Sequence, residues 1–94
     1  MATLIVKHPV ADFNQWKKVF DGMHETRLAH GFTEHQVLRD PTDANLVTII
    51  SRVRSAEDAK AYGQSPVLKE AMKNAGVIGA PHVELLNDEE IKTY

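Results

Sequence analysis

The chain contains no cysteine. Neither a disulfide framework nor a thiolate zinc site can exist in it, and small secreted domains often depend on such staples, so a reducing, cytoplasmic setting is expected. Charge of one sign is missing too: 11 basic and 13 acidic residues give a net charge of −2 at pH 7. No segment gathers the cationic face that phosphate neutralisation demands, which removes nucleic acid from the expected partners. Long hydrophobic runs are absent. No stretch approaches the ~18 apolar residues of a membrane span, and Met1 to His8 is too short an apolar opening for a secretory signal, so no membrane partner is expected. Aromatic residues make up only 6% of the chain, so several of them recurring on one helical face carries information.

What remains is ordinary for a folded protein. A hydrophobic fraction of 43% against 26% charged residues lies outside the range of disordered chains. Ninety-four residues suffice for one core, so residues 1–94 read as a single domain, with 87–94 as an acidic, exposed C-terminal tail. A domain this small leaves much apolar surface uncovered, which favours pairing with a second copy.

Along the chain, Thr3 to His8 is apolar and β-branched and reads as a strand stopped by Pro9. Asp12 is placed to cap a helix that runs to Ala29 or His30, where Gly31 supplies the stop. At ~100° per residue, Phe13, Trp16, Phe20, Met23, His24 and Arg27 share one face of it. Gly22 within that helix suggests a close backbone approach. Phe32–Arg39 and Leu46–Val53 read as a hairpin around the turn formers of residues 40–45. Ser55 opens a second helix carrying Ala59 and Tyr62, which is interrupted at Gly63 and restarted by Ser65-Pro66, with Val67, Leu68, Ala71, Met72 and Ala75 as its apolar stripe. His82–Leu86 is a fourth strand. The order β-α-β-β-α-β predicts an α+β, ferredoxin-like fold: a four-stranded antiparallel sheet with its helices on one face.

In the third strand both alternating sets are apolar, Val47, Ile49 and Val53 on one side and Leu46 and Ile50 on the other. The uncovered sheet face is expected to meet a second copy, giving a homodimer through the sheet faces. With that order of elements, Val10-Ala11-Asp12-Phe13-Asn14-Gln15-Trp16-Lys17, continuing to Phe20-Asp21, resembles the dimeric α+β barrel superfamily. So does Ser65-Pro66-Val67-Leu68-Lys69-Glu70-Ala71-Met72 followed by Ala75-Gly76-Val77. That group includes antibiotic-biosynthesis-monooxygenase-like and polyketide-cyclase-like proteins. The resemblance implies a ligand cavity between helices and sheet. It also implies a cofactor-independent monooxygenase or cyclase acting on an aromatic or polyketide-like compound. The alternative is a non-catalytic homodimeric module that binds a ligand or another protein.

Two ends of the domain carry the candidate chemistry. At one, the pairing of first and fourth strands should bring His8 near His82, beside Asp12 and Trp16. These imidazoles suit proton transfer near neutral pH, and equally read as a solvated cluster at a sheet end. At the other, His24 and Arg27 interrupt an apolar helix face, with Glu34, His35, Arg52 and Tyr62 as neighbours from other elements. An Arg27–Glu34 ion pair would explain the same residues structurally. In the enzymatic reading His24 is the base, Arg27 or Arg52 stabilises an oxyanion, and Trp16 and Phe20 orient a ring. Tyr62, Met72, His8 and His82 complete the expected contacts to a small apolar or aromatic molecule, although Trp16, Phe20, Met23, Tyr62 and Met72 also read as plain core. The five histidines form no metal-ligand motif and there is no glycine-rich phosphate fingerprint, so neither metal nor cofactor is expected.

Overall fold

A computed structural model describes all 94 residues. The elements are β1 (Ala2–Pro9), α1 (Phe13–Gly22), α2 (His24–Ala29), β2 (Phe32–Arg39), β3 (Leu46–Val53), α3 (Ala56–Gly63), α4 (Pro66–Asn74) and β4 (His82–Asn87). The strands form one antiparallel sheet in the order β2-β3-β1-β4 with helices packed on one face, the ferredoxin-like arrangement expected from the order of elements. Three side-chain caps set helix starts: Asp12 accepts from Gln15 N at 2.9 Å, Ser55 from Asp58 N at 3.1 Å and Ser65 from Val67 N at 3.2 Å.

The expected first helix is in fact two. At Met23 the ladder tightens, Met23 N bonding Phe20 O at 3.1 Å, and α2 restarts at His24. Gly22, a weak helix former, immediately precedes the break, and nothing stands within 4 Å of where its Cβ would be. The expected close backbone approach at Gly22 is therefore not present.

Register decides which side chains face the helices. Leu4, Val6 and His8 of β1 lie opposite Ser51, Ile49 and Val47 of β3, and all six point inward. Val6 and Leu4 lie opposite Val83 and Leu85 of β4, which share that face. In β2 a bulge between Phe32 and Glu34 inserts Thr33 and shifts the alternation, so Phe32, His35 and Val37 face the helices while Glu34 faces away. The outer face carries Ile5 paired with Ile50, and Arg52 bridging Glu34 and Asp88 at 3.4 Å and 3.0 Å. β4 runs one residue beyond its expected end, and Asp88 is held by Thr3 and Arg52, so the exposed tail begins after it.

The buried residues form two clusters. One gathers Leu4, Met23, Phe32, Val53, Ala59 and Tyr62; the other Val10, Trp16, Val47, Ile49 and Ala75. Between them the core is hollow.

Candidate functional site

The hollow is a cavity of about 370 Å³ between helices and sheet, lined by residues of both clusters. That volume lies within the range of small-molecule pockets, roughly 300 to 1,000 Å³. Of its 23 lining residues 16 are hydrophobic, and exposed Lys60, Gly63, Gln64 and Val83 mark its mouth.

One wall is aromatic. Trp16 and Phe20, one turn apart on α1, stack with centroids 4.8 Å apart at 21°. His8 meets Trp16 with ring centroids 5.8 Å apart, and the Arg27 guanidinium lies 3.9 Å over the Phe20 ring. The wall thus runs from an imidazole at one end to a cation at the other.

His8 is 3% exposed and its Nδ1 has no hydrogen-bond partner. Burial disfavours the charged ring and lowers its pKa below the ordinary 6.5, so the imidazole is neutral at pH 7. Arg27 is 4% exposed, and its Nη1 donates to Phe20 O at 2.8 Å, adding a second donor to the carbonyl that Met23 N already bonds at the helix break. Tyr62 is buried beside it; burial raises the phenol pKa, with the Arg27 charge opposing. Ser51, also buried, adds a hydroxyl to the sheet side. His35 stands outside the lining, edge-on to Phe20 at 5.0 Å, with its pKa lowered by burial and then by Arg27 and Lys17.

Of the residues singled out in the sequence, His8, Trp16, Phe20, Arg27, Tyr62 and Met72 line the cavity together. Three do not. His24, expected on the inward helical face, is exposed, because the helix breaks at Met23 and α2 restarts at His24. Arg52 projects from the outer sheet face into its two carboxylate partners, and Glu34 pairs there rather than with Arg27. His82 neighbours β1 as expected, but opposite Lys7, so it lies on the other face from His8 and pairs with Glu84 at 3.4 Å. Asp12 caps α1. Ser51 and Lys60 were missed; a lone polar residue in the inward phase of an apolar strand was the signal for Ser51. No cluster of histidine and carboxylate groups suited to a metal is present.

A family model described as antibiotic biosynthesis monooxygenase matches residues 8–74, which span β1's end through α4 and include most of the cavity wall. The chain belongs to the antibiotic biosynthesis monooxygenase family. Solved structures agree on the fold. SnoaB, a cofactor-independent oxygenase from Streptomyces nogalater, superposes with a TM-score of 0.77 at 14% identity, covering 96% of this chain and 94% of that one. A Caulobacter crescentus protein assigned to the same monooxygenases gives 0.76 at 22% identity, covering 95% and 90%. One from Bordetella bronchiseptica gives 0.77 at 13%, covering 95% and 97%. No match is found among curated proteins. No helix of this family member is long and apolar enough to cross a membrane.

Proposed function

We propose that this protein binds a flat aromatic or polyketide-like compound in the cavity and acts on it as a cofactor-independent monooxygenase. The observation that carries the reading is the hollow core itself: an apolar cavity with a stacked aromatic wall and a buried neutral imidazole. The family, and SnoaB being a cofactor-independent oxygenase, support the reaction class.

In this reading His8, rather than His24, is the base. A neutral imidazole in an apolar site can take a proton from an activated carbon or phenol, and Trp16 and Phe20 hold the ring plane. Arg27 and Tyr62 face the negative charge that then spreads onto a substrate oxygen. For a ring CH₂ converted to C=O, dioxygen gives one oxygen atom to the carbon. The other leaves as water with the two hydrogens, so four electrons are lost and four accepted without an added reductant. A second copy covers the outer sheet face around Ile5 and Ile50.

The test is aerobic incubation with 1,8-dihydroxyanthrone, following oxygen uptake and quinone absorbance above the uncatalysed rate. The wild type should accelerate both, and His8→Ala should lose about 10² to 10⁴ of that acceleration, the usual span for a positioned base. Binding without turnover in the wild type would leave a ligand-binding module and remove the oxygenase.

A further inference from the structure

The cavity carries charge of one sign. Arg27 lies within it and Lys60 at its mouth, and no aspartate or glutamate lines it, although the chain as a whole has a net charge of −2. Arg27 has no carboxylate partner: the lysine and arginine ion pairs of the protein engage Lys17, Arg52 and Arg54 instead. Its bond to Phe20 O at 2.8 Å and its contact with the Tyr62 hydroxyl leave several of the five guanidinium N–H donors free, and neither partner is an anion at pH 7. A neutral donor would satisfy a carbonyl equally well, without the cost of a buried charge lacking its counter-charge.

A cation used only against charge developing during reaction would stand uncompensated in the resting complex. We propose that the ligand itself supplies the counter-charge: the cavity takes an aromatic molecule as an anion, bearing a carboxylate or similarly acidic oxygen. Its anionic group docks on Arg27, with Lys60 drawing it in at the mouth, and its ring lies along Phe20 and Trp16. Contacts of 3.9, 4.8 and 5.8 Å lead along that wall from Arg27 through Phe20 and Trp16 to His8, so the ring edge remote from the anionic group is the edge presented to the imidazole. This inference rests on the small-molecule reading of the cavity and adds the charge and orientation of the ligand.

Calorimetric titration of the wild type with 2-naphthoate and 2-naphthamide tests it, since the two share a ring and a shape and differ in charge. The naphthoate should bind about tenfold tighter or more, as a charge-assisted contact exceeds a neutral one. In Arg27→Met that preference should fall to about twofold or less, while Arg27→Lys retains part of it. In the wild type the Arg27 Nε–Hε NMR resonance should move with naphthoate and stay with naphthamide, which needs no variant to fold. Equal binding of the two probes, or a preference unchanged in Arg27→Met, overturns the anion inference while leaving the pocket. Failure of both probes to bind at millimolar concentration overturns the pocket reading with it.

Discussion

Burial lowers the pKa of His8, and that direction fixes how the residue acts on stability. Above pH ~6.5 the ring is neutral in both the folded and unfolded chain and makes no pH-dependent contribution. As pH falls through that value the unfolded chain takes up a proton that the folded one refuses, so stability declines until the folded pKa is reached. His35 acts in the same sense, more weakly because it is largely exposed. Urea midpoints should therefore fall between pH 7 and pH 5, with a flatter profile in His8→Gln. A midpoint that rose on acidification would mean that His8 is held protonated, and would remove it as a base. The carboxylates whose pKa values lie low, Asp40 through Thr42 and Asp88 through Thr3 and Arg52, contribute above the unfolded carboxylate pKa and lose their effect only at lower pH. At this scale the sequence was readable where periodicity places a side chain at the centre of a face, as for Trp16 and Arg27. It was misleading at edges. His24 depended on a helix continuing through Met23, Glu34 on a bulge in β2 that no spacing announces, and His82 on a register that pairs it with Lys7 instead of His8, whereas the outward phase of Arg52 follows from the regular alternation of β3 that it shares with Leu46 and Ile50. The lack of a partner for His8 Nδ1 belongs to three dimensions alone.

Two glycines near the ends of α1 and α2 have opposite roles. Gly31 sits at φ +79, and a Cβ there would meet Asp58 Oδ2 at 2.9 Å and Arg54 Cβ at 3.1 Å. Its carbonyl also receives Arg54 N at 2.9 Å, joining the turn after α2 to the start of α3. Gly31→Ala should cost about 1 to 2 kcal/mol for the left-handed backbone, and more if Asp58 cannot yield. Gly22 has no positive φ and open space around it, so Gly22→Ala should be neutral or stabilise by up to about 1 kcal/mol. Chemical denaturation of the two variants checks both, and a destabilised Gly22→Ala would show that the break at Met23 needs the glycine. Strand and helix positions were largely legible, because capping residues and turn formers mark them: Asp12, Ser55 and Ser65 each accept the backbone hydrogen bond their placement suggested. The split of the first helix was less so, since Gly22 signals weakness without saying whether the chain bends or continues.

The two faces of one sheet assign different duties to adjacent residues of β3. Ile49 is buried and lines the cavity, while Ile50 is half-buried on the outer face directly opposite Ile5. Around that pair the outer face is polar and charged, with Lys7, Glu34, Arg52, His82 and Glu84, which resembles an apolar interface core with a polar rim. If a second copy covers it, as proposed, sedimentation at micromolar concentration should give twice 10.5 kDa. Ile50→Asp should then halve that mass while leaving the helical circular dichroism and naphthoate binding in place, because the cavity lies on the opposite side of the sheet. Ile49→Asp should do the reverse, by placing an unpaired carboxylate where the hydrophobic wall has no partner for it, at a cost of several kcal/mol. That variant should lose ligand binding or unfold, and any folded fraction should remain dimeric. A wild type sedimenting as a stable monomer, or Ile50→Asp remaining dimeric, would remove the sheet face as the interface without touching the cavity, since the two surfaces share a strand and no side chain.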